Sequence, residues 1–243
     1  MTIRVKEKLA RGELATMVLV NYVSAALVEQ LGKLGFDVAM IDCEKGSATP
    51  ERIEDMCRGG RAAGIATVVR PWTNDPGLIS RYLDLGADGV MIAAIDDAEA
   101  ARALVDAVRY SRIRDFDDKL VIAMIESPRA IANLPGLLEV EGIDVWFIGP
   151  NDLAHRMGHP GHADRPEVQR AIYDALATIS AAGRIAGTLS TPATADALVK
   201  AGARFLMTRT SDLLAAGAAG FLKQLPKPPA AVAASRIFKE SSQ

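Results

Sequence analysis

The stretch KLGFDVAM, residues 33–40, shows a pattern that recurs along the chain. A helix-like segment ends at a glycine, two residues follow, and a strand-like run begins. The same order is found in DLGADGVM (84–91) and KAGARFLM (200–207). Because glycine is the usual residue at which helices stop, each phrase predicts a helix that leads into a buried strand. The recurrence predicts a fold built from repeated helix–strand units.

Eight short runs of β-branched and aliphatic residues predict eight strands. They are residues 14–20, 37–42, 66–70, 89–93, 120–126, 144–149, 185–189 and 204–208. Most of them are continuously apolar, which is typical of parallel strands covered on both faces. The segments between them, such as SAALVEQLGKLG, have the amphipathic pattern of helices. This order predicts an α/β fold, a single-domain (β/α)8 TIM barrel.

The main alternative is a doubly wound open sheet. Such a sheet more often carries a glycine-rich phosphate-binding turn after its first strand, and VNYVSAAL (20–27) has no glycine. The barrel is therefore favoured. We expect residues 1–225 to form it, and residues 226–243, which contain three prolines near their start, to be a separate C-terminal tail.

Composition excludes several classes of protein. The 243 residues are 49% hydrophobic and 24% charged, which is typical of a globular protein with a large core. A net charge of −2 gives no general attraction to nucleic acid or to an anionic membrane. Cys43 and Cys57 do not have the spacing of a zinc site. With no apolar run of signal-peptide or membrane-spanning length, we expect a cytoplasmic protein with reduced thiols.

Ionisable residues stand at the ends of several predicted strands, where barrel enzymes keep their chemistry. Strand two ends in Asp42, with Lys45 three residues later, and strand three ends in Arg70. Strand five ends in Glu126, and Asp152 follows strand six. Two converging carboxylates beside an arginine are oxygen ligands of the kind that Mg²⁺ or Mn²⁺ prefers. The alternative is structural: each carboxylate caps the next helix and the arginine forms a salt bridge.

Three histidines lie close together in HRMGHPGHAD (155–164). Their spacing matches no usual zinc motif, and the glycines and proline around them predict a surface loop. We expect no metal site there.

Several longer phrases together resemble one family. VVRPW (68–72), LDLGADGVMI (83–92), AMIESPRAIANL (123–134) and VEGIDVWFIGPNDLA (140–154) are similar, in order, to the hydroxy-oxo-heptanedioate aldolases. These are class II, metal-dependent pyruvate aldolases of the HpcH/HpaI aldolase/citrate lyase family. The resemblance covers about residues 3–225 and implies a barrel of the phosphoenolpyruvate/pyruvate-binding type. It also implies a carbon–carbon lyase that acts on a 2-oxo acid, pyruvate or oxaloacetate, and an aldehyde.

The resemblance also implies roles for particular residues. Glu126 and Asp152 would bind Mg²⁺, Mn²⁺ or Co²⁺, and Arg70 would steady the keto oxygen as it gains negative charge. Backbone amides around Gly149, Asn151 and Asp152 would hold the substrate carboxylate. Family members usually form homo-oligomers, hexamers built as trimers of dimers, that exchange their last helix.

The chain departs from the family pattern in the residues that transfer the proton. The family reads Asp-Gly-Glu-His after strand two, and the His with the Asp is the acid/base pair; this chain has Asp42-Cys43-Glu44-Lys45. Met124 stands where a glutamine is often found. RYSRIRDFDDK (109–119) replaces the family's usual connection after strand four.

Three interpretations stay open from the sequence. In the first, the protein is an aldolase in which Lys45 or a metal-bound water handles the proton. In the second, the enolate site runs a related reaction, oxaloacetate decarboxylation or a citrate-type condensation. In the third, the chain binds a 2-oxo acid without catalysis. A Schiff base on Lys45, as in class I aldolases, is a further idea that the two metal-binding carboxylates argue against.

Overall fold

Eight parallel strands form a closed barrel in the order in which they occur in the chain. The structure is a computed structural model, and it describes residues 2–226. The strands are β1 (Ala15–Val20), β2 (Val38–Asp42), β3 (Ala66–Arg70), β4 (Gly89–Ile92), β5 (Leu120–Ile125), β6 (Val145–Ile148), β7 (Ala186–Leu189) and β8 (Ala203–Arg209). Strand β8 pairs in parallel with β1, and this pairing closes the sheet. The predicted barrel is confirmed, and the open sheet is excluded.

The helices between the strands lie on the outside of the barrel, as expected of parallel neighbours, whereas one further helix precedes β1 and another follows β8. They are α1 (Thr2–Ala10), α2 (Ala25–Lys33), α3 (Pro50–Ala63), α4 (Pro76–Asp84), α5 (Ala98–Ser111), α6 (Pro128–Ala132), α7 (Leu134–Leu137), α8 (Pro150–Arg156), α9 (Pro166–Ala181), α10 (Ala195–Lys200) and α11 (Thr210–Gln224). The starts of α2 and α5 are capped by Ser24 and Asp97, whose side chains accept backbone N–H groups. Helix α3 ends at Gly64, whose φ of 72° suits a glycine.

The buried side chains form two layers because neighbouring residues of a strand point to opposite faces. The inner cluster includes Met17, Met40 and Phe147, and it also takes in Val5 and Leu9 from α1. The outer cluster lies between the strands and the helices. It contains the alternate strand residues, including Val18, Ile41, Trp146 and Ile148. Both faces of the sheet are therefore covered, which explains why the strands are apolar throughout.

The inner layer continues into the polar residues at the strand ends. Asp42 follows Val38 and Met40 at two-residue intervals, and Arg70 follows Ala66 and Val68 in the same way. Glu126 continues the alternation of Ile122 and Met124. These three side chains therefore point toward the barrel axis at the carboxyl ends of the strands.

A repeated aspartate joins neighbouring strands at the opposite end of the barrel. Asp37 lies just before β2 and accepts the N–H of Thr16 at 2.8 Å. Asp88, before β4, accepts the N–H of Thr67 at 2.9 Å, and Asp144, before β6, accepts the N–H of Val121 at 2.8 Å. The aspartate that follows the glycine in phrases such as KLGFDVAM is thus a structural hydrogen-bond acceptor.

The segment RYSRIRDFDDK (109–119) lies away from the strand ends that carry the chemistry. It begins inside α5, includes a 3₁₀ turn at Phe116–Asp118, and leads into β5. It is therefore part of the return connection at the amino ends of the strands, where the Arg109 guanidinium covers the Phe116 ring at 4.7 Å. The segment thus lies in the connection that follows strand four, as the sequence predicted, mainly in its part between α5 and β5.

The contacts between Cα atoms divide the chain into two units, Met1–Thr210 and a second one that begins at Ser211. The first unit contains the whole barrel. In the second, α11 has exposed apolar side chains, among them Leu214, Phe221 and Leu222. The predicted tail, apart from Pro226, lies outside the described residues. Within residues 2–226, no helix is both long and apolar enough to cross a membrane.

Candidate active site

Arg70 is the centre of a buried cluster of charges at the ends of β2 and β3. Its Nε donates to Asp42 Oδ1 at 2.9 Å, and its Nη2 donates to Asp42 Oδ2 at 2.7 Å. Its Nη1 lies 2.9 Å from Glu44 Oε2. The Arg70 and Asp42 side chains are only 8% and 9% exposed. This two-pronged pairing holds the guanidinium in one orientation, which a lysine could not reproduce.

The loop after β2 is folded around the Asp42 carboxylate. Asp42 Oδ1 also accepts the backbone N–H groups of Glu44, at 3.0 Å, and Lys45, at 3.4 Å. Gly46 is required in this turn, since a Cβ there would lie 2.1 Å from the Asp42 carbonyl oxygen. Burial works to raise the pKa of Asp42, but the hydrogen bonds and charge of Arg70 hold it below the ordinary value. The Asp42 carboxylate is therefore ionised, and it fixes both the Arg70 guanidinium and the loop after β2.

Glu126 has one satisfied oxygen and one without a partner. Its Oε1 accepts the backbone N–H of Ala94 at 2.9 Å. Its Oε2 is buried, and within residues 2–226 it has no hydrogen-bond partner. Burial, and next the negative charge of Asp152, raise the pKa of Glu126 to about 7. The N–H of Ala94 and the charge of Arg156 act in the opposite direction but do not offset this rise.

Ala94 is held in an unusual backbone conformation beside this carboxylate. Its φ of 56° makes it the one residue other than glycine with positive φ among the described residues. This left-handed conformation costs energy for a residue with a side chain, and such costs are most often found at functional sites. Here it accompanies the N–H contact to Glu126 Oε1.

Helix α8 begins at the mouth of the barrel next to Glu126. A Cβ on Gly149 would lie 2.7 Å from Glu126 Oε2, so only glycine leaves room for that oxygen. The N–H of Gly149 donates to the Ile125 carbonyl at 2.9 Å, so it is already engaged. The N–H groups of Asn151 and Asp152 lie in the first turn of α8, where a helix offers no internal acceptor.

Lys45 reaches across the mouth of the barrel to Asp152. Its Nζ lies 3.2 Å from Asp152 Oδ2 and 3.5 Å from Oδ1. The two side chains are 58% and 39% exposed. Lys45 therefore contacts Asp42 only through its backbone, and its ammonium pairs with a carboxylate 107 residues away.

A cavity of about 290 Å³ opens among these residues. Its lining includes Asp42, Lys45, Arg70 and Asp152, together with the Gly149–Asn151 segment. It also includes Asn21, Ser47 and Arg209, which the sequence did not single out as site residues. This volume suits a small organic acid.

The donor set fits a hard divalent cation. Two carboxylates supply oxygen ligands, and the unpartnered Oε2 of Glu126 is an acceptor that a cation would satisfy. Within residues 2–226 no group of three or more His, Cys, Asp or Glu side chains is placed to hold a metal ion. A cation on Glu126 and Asp152 would therefore leave most of its positions to water and to substrate oxygens.

His159 and His162 lie near carboxylates outside the cavity lining, and Cys43 is a buried thiol. His159 Nε2 lies 3.0 Å from Glu167, and His162 Nδ1 lies 4.0 Å from Asp164. Cys43, next to Asp42, is free and buried, and burial raises its pKa to about 11, so it stays a thiol.

The structure brings the predicted site residues to one end of the barrel. Asp42, Arg70, Lys45 and Asp152 line one cavity, and the buried carboxylate of Glu126 lies beside Gly149. Sequence reasoning missed the contact of Glu44 with Arg70 and the contact of Ala94 with Glu126. Glu44 stood within the charged stretch and could have been included. No signal in the sequence marks Ala94, because its role lies in its backbone.

Comparison with known proteins gives one consistent result. A family model described as HpcH/HpaI aldolase/citrate lyase matches residues 15–214. Among curated proteins, the 2-keto-3-deoxy-L-rhamnonate aldolase of Escherichia coli (strain K12) is 33% identical over 236 residues, with 86% of this chain and 87% of that protein covered.

Solved structures show the same architecture. A HpcH/HpaI aldolase/citrate lyase family protein from Burkholderia cenocepacia J2315 has a TM-score of 0.83 at 25% identity, covering 91% of this chain and 98% of that one. The citrate synthase SbnG has a TM-score of 0.82 at 21% identity, with coverage of 90% and 96%. At that identity the second similarity concerns the fold alone.

Proposed function

The chain belongs to the HpcH/HpaI aldolase/citrate lyase family, and we propose that it is a divalent-metal-dependent aldolase. The reaction is the cleavage or formation of a carbon–carbon bond next to a 2-oxo acid, through the enolate of pyruvate. The observation that carries this proposal is the Glu126 carboxylate, buried at the carboxyl end of the barrel. One of its oxygens has no hydrogen-bond partner among residues 2–226, and its pKa is raised to about 7.

The charges of the site favour a bound cation. Arg70 is shared by Asp42 and Glu44, and Lys45 is paired with Asp152, so Glu126 alone has no positive partner among these groups. Glu126 and Asp152 would hold Mg²⁺ or Mn²⁺, with Co²⁺ as a further candidate. When bound, the cation supplies Lewis acidity, which stabilises negative charge on the substrate's oxygens.

Arg70 and the start of α8 would orient the substrate. The Asp42 carboxylate holds the Arg70 guanidinium fixed, so its positive charge is in place before charge develops on the keto oxygen. The N–H groups of Asn151 and Asp152 would hold the substrate carboxylate. Gly149, whose N–H is engaged with Ile125, contributes space for Glu126 in place of a hydrogen bond.

Proton transfer is assigned to Lys45 Nζ or to a water at the site. Asp42 is a poor base, because its oxygens are hydrogen-bonded to Arg70 and to the loop amides and its pKa is held below the ordinary value. We therefore give Asp42 a positioning role. Lys45 lies at the mouth of the cavity, where it can reach the acceptor end of a substrate.

The substrate class follows from the relatives in coarse terms. The name of the E. coli relative describes cleavage of a 2-keto-3-deoxy acid. We propose a donor of the 2-oxo acid class, pyruvate or oxaloacetate, and an aldehyde as the second partner. We also propose a cytoplasmic homo-oligomer, a hexamer arranged as a trimer of dimers.

Lysine at position 45 favours a second candidate reaction. The resemblance places a histidine there in aldolases, whereas this chain has an ammonium bound to Asp152. Decarboxylation of oxaloacetate uses the same enolate but requires no proton to be removed from an alcohol, so it would proceed without that histidine. A citrate-type condensation belongs to the same class. A non-catalytic 2-oxo acid binding role is the remaining alternative.

Proton exchange of pyruvate tests the aldolase proposal. In D₂O, we expect the methyl protons of pyruvate to exchange when Mn²⁺ is present and not when it is removed, as followed by NMR. Glu126→Ala should abolish the exchange. Arg70→Lys should slow it by roughly 10²-fold, because a lysine cannot form the two-pronged contact with Asp42. Glu99→Ala, a change on the exposed face of α5, is the control and should have no effect.

The other outcomes separate the candidates. Oxaloacetate decarboxylation without pyruvate exchange would favour the second reaction. Absence of both activities together with absence of Mn²⁺ binding would contradict an enzymatic role. Treatment with borohydride and pyruvate tests whether Lys45 forms a Schiff base. A reduced adduct on Lys45 would support a Schiff-base mechanism and contradict the metal-dependent one.

A further inference from the structure

The Lys45 ammonium contacts the Asp152 carboxylate, which the proposed function takes as a ligand of the cation. Its Nζ lies within 3.5 Å of both oxygens of Asp152, at 3.2 Å from Oδ2 and 3.5 Å from Oδ1. An ammonium in this place faces the same lone pairs that a divalent cation would need. Two like charges on one carboxylate would repel each other at short range.

We propose that Lys45 and a divalent cation are alternative counter-ions of Asp152, so that the cation binds by displacing the ammonium. The inference rests on the proposed function, since it takes Asp152 as a metal ligand. It assigns Lys45 a role in setting metal affinity, apart from any role in proton transfer.

Arg70, a second cation of the site, cannot play this part. Three nitrogens of Arg70 are engaged by carboxylates: Nε and Nη2 by Asp42, and Nη1 by Glu44. Its side chain is only 8% exposed. Arg70 therefore stays paired with Asp42 and Glu44 whether or not a cation is bound. Among residues 2–226, the positive group that pairs with Asp152 is Lys45, so a bound cation would compete with Lys45.

The Lys45 side chain is able to leave. It is 58% exposed, and an ion pair between partly exposed groups is only weakly favourable. Its backbone stays in place, because the N–H of Lys45 donates to Asp42 Oδ1 at 3.4 Å. The ammonium would thus move to solvent at the mouth of the cavity while the loop keeps its shape.

Glu126 gives the cation its advantage over the ammonium. Lys45 compensates Asp152 alone, whereas the buried Glu126 Oε2 has no partner within residues 2–226. A divalent cation would satisfy both carboxylates at once. The site should therefore accept the cation despite Lys45, but with a lower affinity than the same site would have with a neutral side chain at position 45.

Mn²⁺ binding to the full chain tests the competition. Free Mn²⁺ is followed by its electron paramagnetic resonance signal, without substrate, at one fixed pH and ionic strength. Lys45→Met removes the charge and keeps most of the length of the side chain, and we expect it to tighten Mn²⁺ binding by about fivefold. Lys45→Gln should act in the same direction. Lys45→Arg keeps the charge and should bind as the wild type does.

A matched control uses a second exposed lysine–carboxylate pair. Lys200 Nζ lies 2.7 Å from Asp196 Oδ2, and both side chains are largely exposed. Lys200→Met makes the same chemical change far along the chain and should leave Mn²⁺ affinity unchanged. Asp152→Asn should weaken binding strongly, which checks that Asp152 is a ligand.

The outcomes distinguish this inference from the proposed function. If the wild type binds Mn²⁺, Asp152→Asn weakens binding and Lys45→Met leaves it unchanged or weaker, the inference is wrong and the metal site stands. If neither the wild type nor Lys45→Met binds Mn²⁺, both are wrong. If only Lys45→Met and Lys45→Gln bind it, the competition is supported and the wild-type affinity is lower than the proposed function needs.

Discussion

At the scale of single residues, Glu126 and Arg70 show that the effect of burial on a charged side chain depends on its partners. Both side chains are buried, but Arg70 contacts two carboxylates, whereas Glu126 contacts one backbone amide. A buried charge is tolerated when it is paired and penalised when it is not. The ionised form of Glu126 is therefore unfavourable in the metal-free protein, which explains its raised pKa.

This penalty predicts a pH-dependent stability. The pKa of Glu126 is about 7 in the folded protein against 4.5 as its ordinary value, so between these pH values the folded state binds more protons than the unfolded state. Stability from this group is complete below about 4.5 and is lost as pH rises through 7. We expect Glu126→Gln to stabilise the metal-free protein by up to about 3 kcal/mol at pH 8 and little at pH 4.

Urea unfolding in the presence of a chelator measures this difference. The quantity of interest is the difference between variant and wild type at each pH, in which other titrating groups cancel. Glu99→Gln, on the exposed surface of α5, is the control and should give a difference near zero throughout. A constant difference across pH would show that Glu126 is not the group responsible.

At the scale of elements, the start of α8 is shaped by the carboxylate beside it. The helix begins after Gly149, and a side chain there would occupy the space of Glu126 Oε2. The start of α8 and the position of Glu126 Oε2, which we propose as a metal ligand, thus both depend on the absence of a Cβ at position 149.

Gly149→Ala should damage the metal site and spare the fold. The added Cβ would lie 2.7 Å from Glu126 Oε2 and 3.2 Å from the Met124 side chain, so the carboxylate must shift. We expect Mn²⁺ affinity to fall at least about tenfold, since ligand geometry controls binding. Gly136→Ala in α7 is the matched control, because a Cβ there meets no atom within 4 Å. Equal Mn²⁺ affinity in the two variants would contradict the geometry.

The strand-start aspartates are a second feature at this scale. Asp37 accepts hydrogen bonds from the N–H and hydroxyl of Thr16 and from Lys8 Nζ at 2.9 Å. It therefore joins α1, β1 and β2 through one half-buried carboxylate.

We expect Asp37→Ala to cost about 2 kcal/mol in free energy of unfolding, because it leaves a backbone N–H and a lysine without an acceptor. Asp37→Asn should cost less, since its amide oxygen can still accept the Thr16 N–H. Asp55→Ala, which removes an exposed partner of Arg58 at 3.7 Å, should cost less than about 0.5 kcal/mol. Denaturant titration measures all three, and equal costs for Asp37→Ala and Asp55→Ala would contradict a structural role.

At the scale of the whole molecule, α11 carries apolar side chains that its own unit leaves exposed. Phe221 is 65% exposed and Leu222 is 62% exposed. Adjacent exposed apolar side chains of this size are typical of an interface. This agrees with the proposal of a homo-oligomer, which the resemblance placed on the last helix.

Phe221→Ser combined with Leu222→Ser should therefore lower the molar mass of the particle in solution, measured by light scattering after gel filtration. The control is a chain that ends at Leu225. It lacks residues 226–243 and leaves Phe221 and Leu222 unchanged, so we expect it to keep the wild-type number of subunits. A smaller particle from the shortened chain would place the contact in the tail instead.

The sequence by itself determined the fold and the positions in the chain at which the site residues lie. Strand and helix periodicity are local properties, so eight apolar runs and their glycine stops predicted the barrel. The position of a residue at the end of a strand is also local, and this was enough to collect Asp42, Arg70, Glu126 and Asp152 at one end.

Only the tertiary structure decided which charges pair. Asp42 is bound by Arg70, and Lys45 turns to Asp152, 107 residues away. Such partners depend on distances across the closed barrel, at which two side chains from different strands compete for one carboxylate. A sequence pattern contains no such distances. For the same reason the sequence could not show that one oxygen of Glu126 has no hydrogen-bond partner in the described part of the chain, because that depends on the surroundings of the residue.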